Sequence, residues 1–214
     1  MSSEVEICNL ALGDIRAGSI NSLNESSIQA QQCKLRYPVL RDQLLRDVPW
    51  QFTHKIKALA LLTDELFNWA YVYQYPADCI QINRLMLNWE EVESGNNRSR
   101  LQGDQFIKVN LKQQIDYKIY NIDGNKVIAS NESDLRADYT AEVTDPNLFD
   151  TQFIVTLSKL LAAELAIPLV GVDKGRQLRS DSYGIYQSYL NAAIASNENE
   201  QYTQTPDSEF VNIR

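Results

Sequence analysis

His54 is the only histidine in the 214 residues, so any triad of the Ser-His-Asp or Cys-His kind has to use it. It lies in Trp50-Gln51-Phe52-Thr53-His54, between aromatics and with no G-x-S-x-G elbow nearby, a setting that reads as a packed or hydrogen-bonded structural histidine. Cys8, Cys33 and Cys79 are odd in number and lack metal or redox spacing, and they read as small buried hydrophobes. Asp134, Asp138 and Glu142 recur every four residues, which on a helix would gather carboxylates for a two-metal site. The surrounding sequence reads as the entry to a strand, where that spacing has no such consequence, and they are expected on a solvated face. Asn121-Ile122-Asp123-Gly124-Asn125 lacks the later Glu of a calcium loop and reads as a turn. The eight glycines include no G-K-S or G-K-T phosphate loop. The residues therefore predict no catalytic apparatus, no metal and no cofactor.

Composition narrows the class further. Apolar residues make up 44% of the chain and charged residues 22%, enough apolar material for a core of ordinary globular kind. No uninterrupted apolar run reaches the roughly 18 residues of a membrane span. Met1 to Glu6 carries two acids and no basic cluster, so a cytoplasmic start is expected. A net charge of −8 argues against tight nucleic-acid binding, which depends on neutralising phosphates. Lys174, Arg176 and Arg179 form one short basic stretch. An acidic surface repels DNA and would suit a wall along which DNA slides.

Four helical segments enclose a β-rich middle. The first is expected from Ser3 to Ala17, opened by a Ser3/Glu6 capping box and stopped at Gly18. Ser22 with Glu25 predicts a second capping box and a helix running to Val48, kinked at Pro38 and ended before Pro49. Its apolar stripe is Ala30, Cys33, Tyr37, Leu40, Leu44 and Val48. Alternation marks strands over 79–85, 106–111, 115–120, 126–129 and 139–143, with Asp123-Gly124 as a hairpin turn. Glu93 to Arg100 has no apolar residue and predicts a loop tip. Asp145-Pro146 predicts the start of a third helix, apolar nearly all round from Leu148 to Ile167 and ended by Pro168 and Gly171. The last helix, from Lys174 to Ser196, is expected to bury Leu178, Ile185, Tyr186, Tyr189, Leu190, Ala193 and Ile194 on one face. Trp69-Ala70-Tyr71-Val72-Tyr73-Gln74-Tyr75 packs four aromatics into seven residues, as an extended plug between helical and β parts or as a protein contact. The expected fold is α+β: a four-helix bundle from N- and C-terminal helix pairs, an inserted antiparallel β domain and an extended C-terminal tail. Its divisions are 1–54, 55–144, 145–200 and 201–214.

An ordered set of segments resembles the tail tubular protein A family, the head-to-tail adaptors of short-tailed bacteriophages. The set comprises Ile7-Cys8-Asn9-Leu10-Ala11-Leu12, Ser22-Leu23-Asn24-Glu25-Ser26-Ser27, Ala30-Gln31-Gln32-Cys33, Tyr37-Pro38-Val39-Leu40-Arg41-Asp42 and Pro49-Trp50-Gln51-Phe52. The Trp69–Tyr75 run with Pro76-Ala77-Asp78-Cys79 follows and is the most specific part. Ile119-Tyr120-Asn121, then Asp145, Phe149, Leu160-Leu161-Ala162 and Leu165-Ala166-Ile167-Pro168-Leu169, complete it. The resemblance implies a structural virion protein and not an enzyme: a homo-oligomeric ring, a dodecamer, joining the portal protein to the tail nozzle, tail tubular protein B. Genomic DNA would pass through its lumen without sequence-specific binding. By the same resemblance the tail would bind the portal, a role mapped onto Tyr202, Phe210, Val211 and Ile213. Asn96, Asn97, Arg98 and Arg100 are expected to meet the nozzle or a neighbouring subunit. The alternatives are another tail-junction stopper or terminator, or a small cytoplasmic ligand-binding or enzyme domain.

Overall fold

The computed structural model describes residues 3–63, 66, 68–87, 100–102, 105–107 and 115–199. The fold is α+β, and the chain divides into two compact units. One comprises Met1–Leu44 and Asp145–Arg214, the other Leu45–Thr144. The first division falls inside a helix, ten residues before the 54/55 boundary expected from sequence.

The helical unit begins with α1 (Glu4–Asp14). Ser3 Oγ accepts from the Glu6 N–H, and the Glu6 carboxylate accepts from the Ser3 N–H, so the capping box is present as read. The helix stops three residues earlier than expected. Arg16 takes the left-handed position, with the Ala17 N–H bonding Leu12 O and the Arg16 N–H bonding Gly13 O. Gly18 lies beyond this motif. α2 (Ile28–Asp47) also differs at its start. Ser22 and Glu25 build a turn instead of a cap, and Glu25 accepts from the Asn21 N–H and the Ser27 hydroxyl. The cap is Ser27, whose Oγ accepts from the Ala30 N–H. Pro38 lies within α2, and the helix ends before Pro49.

Asp145-Pro146 opens only a single 3-10 turn, Pro146–Leu148. The cap of α3 (Thr151–Val170) is Asp150, whose side chain accepts from the Gln152 N–H. Pro168 is carried inside α3, and Gly171 at φ +93° ends it. The length and apolarity of α3 would also suit a membrane span, yet ten of its side chains are buried within the protein. α4 (Val172–Asn199) packs along it at very close range. A Cβ on Gly175 would lie 2.8 Å from the Ala166 carbonyl oxygen, which is why the smallest residue stands there. Lys159 binds Asp14 at 2.7 Å and Arg179 binds Glu164 at 2.8 Å, tying α1 and α4 to α3 at the surface.

Among the described residues the β unit holds three small antiparallel sheets. In the first, β1 (His54–Ala58) and β3 (Cys79–Leu87) flank β8 (Leu135–Ala141). In the second, β2 (Tyr71–Gln74) and β6 (Tyr117–Ile122) flank β7 (Asn125–Ser130). The third pairs β4 (Arg100–Gln102) with β5 (Gln105–Ile107). Asp123 at φ +50° and Gly124 at φ +85° make the β6–β7 hairpin turn, as their types require. Tyr73, Ile82, Leu85, Ile128, Leu135 and Tyr139 form the core. The aromatic run at 69–75 thus contributes β2, with Tyr73 in that core and Trp69 Nε1 donating to the Tyr120 hydroxyl.

Candidate functional site

The residues with chemical potential converge on one face of the first sheet. Antiparallel register sets His54 opposite Thr140 and Ile56 opposite Asp138, so Asp138 and His54 share a face. A bulge in β3 between Ile82 and Arg84 brings Asn83 and Arg84 to the same carboxylate. Asp138 lies 3.4 Å from His54 Nδ1, 3.1 Å from Arg84 Nε and 3.5 Å from Asn83 Nδ2. Thr140 Oγ1 in turn donates to Asn83 Oδ1. This corrects the sequence reading of Asp138 as solvated: it is buried, whereas Asp134 and Glu142 are exposed. Of the three only Asp138 lies within β8, between β1 and β3, whereas Asp134 precedes that strand and Glu142 follows it, and the even spacing in sequence conceals this.

Asp138 approaches the imidazole on its Nδ1 side, so Nε2 is the nitrogen turned away from the carboxylate. Nε2 is buried with no hydrogen-bond partner among the described residues. A triad would require a hydroxyl or thiol within about 3 Å of it. Cys8 and Cys33 are buried in the helical unit. Their thiols share a hydrogen bond that raises the Cys8 pKa and lowers that of Cys33. Cys79 is raised by burial and donates to the Tyr75 hydroxyl. No group of three or more His, Cys, Asp or Glu suited to a metal occurs among the described residues.

A second polar knot lies on the other face of the same sheet. Asp78 accepts from Lys55 Nζ at 2.7 Å and from the Tyr139 hydroxyl at 2.9 Å. The lysine chiefly holds the Asp78 carboxyl below its ordinary range.

The helical unit offers surface in place of chemistry. Ile28, Leu35 and Val39 stand on the outer stripe of α2, each about two-thirds exposed. On α4 the buried stripe is Gly175, Ser182, Tyr186 and Ala193. Ile185 and Tyr189, expected inside, are nearly half exposed together with Tyr183. The close approach at Gly175 narrows what α3 covers, and a periodicity reading cannot foresee that. A shallow groove of about 460 Å³ runs between α1 and α3, lined by Glu6, Ile7, Asn9, Leu10 and Ile154.

Of the contact residues read from sequence, Tyr202, Phe210, Val211 and Ile213 lie outside the described residues, as do Asn96, Asn97 and Arg98. Arg100 opens β4, its backbone paired with Ile107. The sequence reading missed Asp138 as an inward group and the outer stripe of α2. No protein-family model matches the chain, and no curated protein matches it at a significant level.

Proposed function

We propose that this protein is a head-to-tail adaptor of a short-tailed bacteriophage, a structural ring component between portal and tail nozzle. The observation that carries the proposal is the ordered set of family-like segments running from Ile7 to Leu169. Two features lend support. The two ends of the chain contribute one helical unit with a β unit inserted between them, and α2 of that unit presents an apolar stripe of Ile28, Leu35 and Val39 outward. A folded unit with uncovered Ile, Leu and Tyr is suited to assembly. In this reading the four helices form a bundle. Tyr202, Phe210, Val211 and Ile213 engage the portal, and the segment Asn96–Arg100 meets the nozzle or a neighbour. The acidic net charge keeps DNA from adhering to the lumen.

Cryo-electron microscopy of the purified protein mixed with its portal tests this. A closed ring beneath the portal is expected, and portals that remain bare overturn the reading. The copy number of the protein in assembled tails separates an adaptor from a stopper or terminator. Deleting Gln201–Arg214 is expected to leave a folded protein that no longer joins portal rings, and undiminished joining would remove the tail from the contact.

A second reading, a small ligand-binding or enzyme domain, draws on the Asp138–His54 pair and its unpartnered Nε2. It requires that a ligand or substrate reach His54. Screening small molecules by the chemical shift of the single histidine would reveal one, and a silent imidazole would dismiss the idea.

A further inference from the structure

The fold treats the three cysteines differently. Cys79 stands half-buried on β3 and bonds the Tyr75 hydroxyl. Cys8 on α1 and Cys33 on α2 are both wholly buried in the helical unit, and the Cys8 thiol donates to Cys33 Sγ. One turn before Cys8, Glu4 lines a pocket of about 230 Å³ together with Tyr37, which stands one turn after Cys33. The two helices therefore face each other along these residues, with the thiols at their meeting point. A buried thiol ordinarily serves as a small hydrophobe. This pair differs because each sulfur is the other's polar partner, on helices whose cysteines are 25 residues apart in the chain.

We infer that Cys8 and Cys33 form a disulfide site, closed by a small peroxide once the protein leaves a reducing compartment, and that the bridge latches α1 to α2. The inference rests on the adaptor reading only for its setting, a particle assembled in a reducing cytoplasm and released into an oxidising medium. Cys33 is the attacking sulfur. The bond from Cys8 and the Arg36 guanidinium favour its thiolate, against the effect of burial. Its sulfur takes one peroxide oxygen, the O–O bond breaks, and the departing hydroxide collects the Cys33 proton and leaves as water. Cys8 then attacks the sulfenic sulfur: the S–S bond forms, the S–O bond breaks, and the second hydroxide leaves as water with the Cys8 proton. Two thiols and one peroxide give one disulfide and two waters, with two electrons passing from sulfur to oxygen. Size selects the oxidant. Hydrogen peroxide is close to water in size, whereas a bulky disulfide such as oxidised glutathione cannot reach a wholly buried sulfur. The closed bridge turns residues 8 to 33 into a loop, which restricts the unfolded chain and so holds the helical unit after assembly.

Peroxide treatment of the folded full chain tests this. Protein purified under reductant is desalted, exposed to hydrogen peroxide, alkylated and mapped by peptide mass spectrometry. A Cys8–Cys33 bridge is expected, with Cys79 outside it. The thermal midpoint of the helical circular-dichroism signal is expected to rise by roughly 5–10 °C and to return when dithiothreitol is added. Cys8→Ala and Cys33→Ala should each abolish the rise, and Cys79→Ala should keep it. Either core substitution can unsettle the fold, so the mapping on wild type decides the matter without them. The site is overturned if Cys8 and Cys33 stay free while the more accessible Cys79 is oxidised, if the bridge joins Cys79, or if it forms only in urea. A bridge that leaves the midpoint unchanged or lowers it overturns the latch. Portal capture with the same protein separates the two ideas. A reversible bridge in protein that leaves portals bare removes only the adaptor, and protein that rings the portal but never bridges removes only the latch.

Discussion

The two units hold their buried polar groups in opposite ways. In the helical unit, Thr156 and Ser158 return their hydroxyls to carbonyls three or four residues back in α3. Those bonds are local and add nothing to tertiary specificity. In the β unit several partners lie 50 or more residues apart, beside local bonds such as Thr53 to the Trp50 carbonyl: Asp138 with Arg84, Tyr139 with Asp78, Tyr73 with the Glu132 carbonyl. Shape therefore locks the helical unit, through Gly175 and the apolar face of α3, while a long-range polar framework locks the β unit around a smaller core. The contrast leaves the helical unit free to present apolar surface outward without losing its fold.

Two substitutions would break this contrast most forcefully. Phe153 is fully buried in α3 with its ring 4.7 Å from that of Phe149, and Phe153→Ala is expected to cost about 3–5 kcal/mol. If the units are locked by different means, urea unfolding followed by tryptophan fluorescence should split. All three tryptophans, Trp50, Trp69 and Trp89, belong to the β unit, so far-UV circular dichroism would lose its helical signal at lower urea than the fluorescence transition. Coincident transitions would mean the units unfold as one. Asp138→Ala acts on the other side. It strips His54 and Asn83 of their carboxylate while Arg84 retains water, and about 2 kcal/mol is expected, carried by the fluorescence transition. A loss confined to the helical signal would contradict the division.

The same contrast explains what the sequence disclosed. Helix existence, the Ser3/Glu6 box, the Asp123-Gly124 hairpin and the return to helix after Thr144 all follow from local periodicity and turn chemistry. Boundaries slipped where two local signals competed. Ser27 displaced Ser22 as a cap, Asp150 displaced Asp145, and Arg16 adopted a left-handed conformation usually reserved for glycine. Asp138 could not be read, because its inward turn depends on strands that precede it by 54 and 84 residues, at Arg84 and His54. The outer stripe of α2 and the half-exposed Ile185 and Tyr189 of α4 were hidden for a related reason: which apolar residues a neighbour covers is a tertiary fact.

Gly175→Ala sharpens the claim that shape locks the interior of the helical unit. The new methyl would meet the backbone at Ala166 and Ile167, which cannot turn aside as a side chain can, so α3 and α4 must part. About 1–3 kcal/mol is expected despite the higher helix propensity of alanine. A stabilised variant would show that the approach at Gly175 is looser than 2.8 Å implies.

The smallest effect separates the units by pH. Burial, and secondly the bond to Asp78, push the Tyr139 hydroxyl up to about 12. In the unfolded chain a tyrosine ionises near 10. Above that pH the unfolded state releases a proton that the folded state keeps, so this contribution is whole below pH 10 and is lost as pH climbs through 12. Tyr139→Phe gives up the hydrogen bond to Asp78, about 1 kcal/mol at neutral pH, since Lys55 still holds that carboxylate. It also removes this alkaline loss, so variant and wild type should converge in stability between pH 10 and 11. Burial raises Tyr73 and Tyr75 in the same unit too, so part of the alkaline slope will persist in the fluorescence transition. A constant gap between the two proteins from pH 7 to 11 would mean that Tyr139 keeps an ordinary pKa and that the buried bond to Asp78 is not what holds its proton.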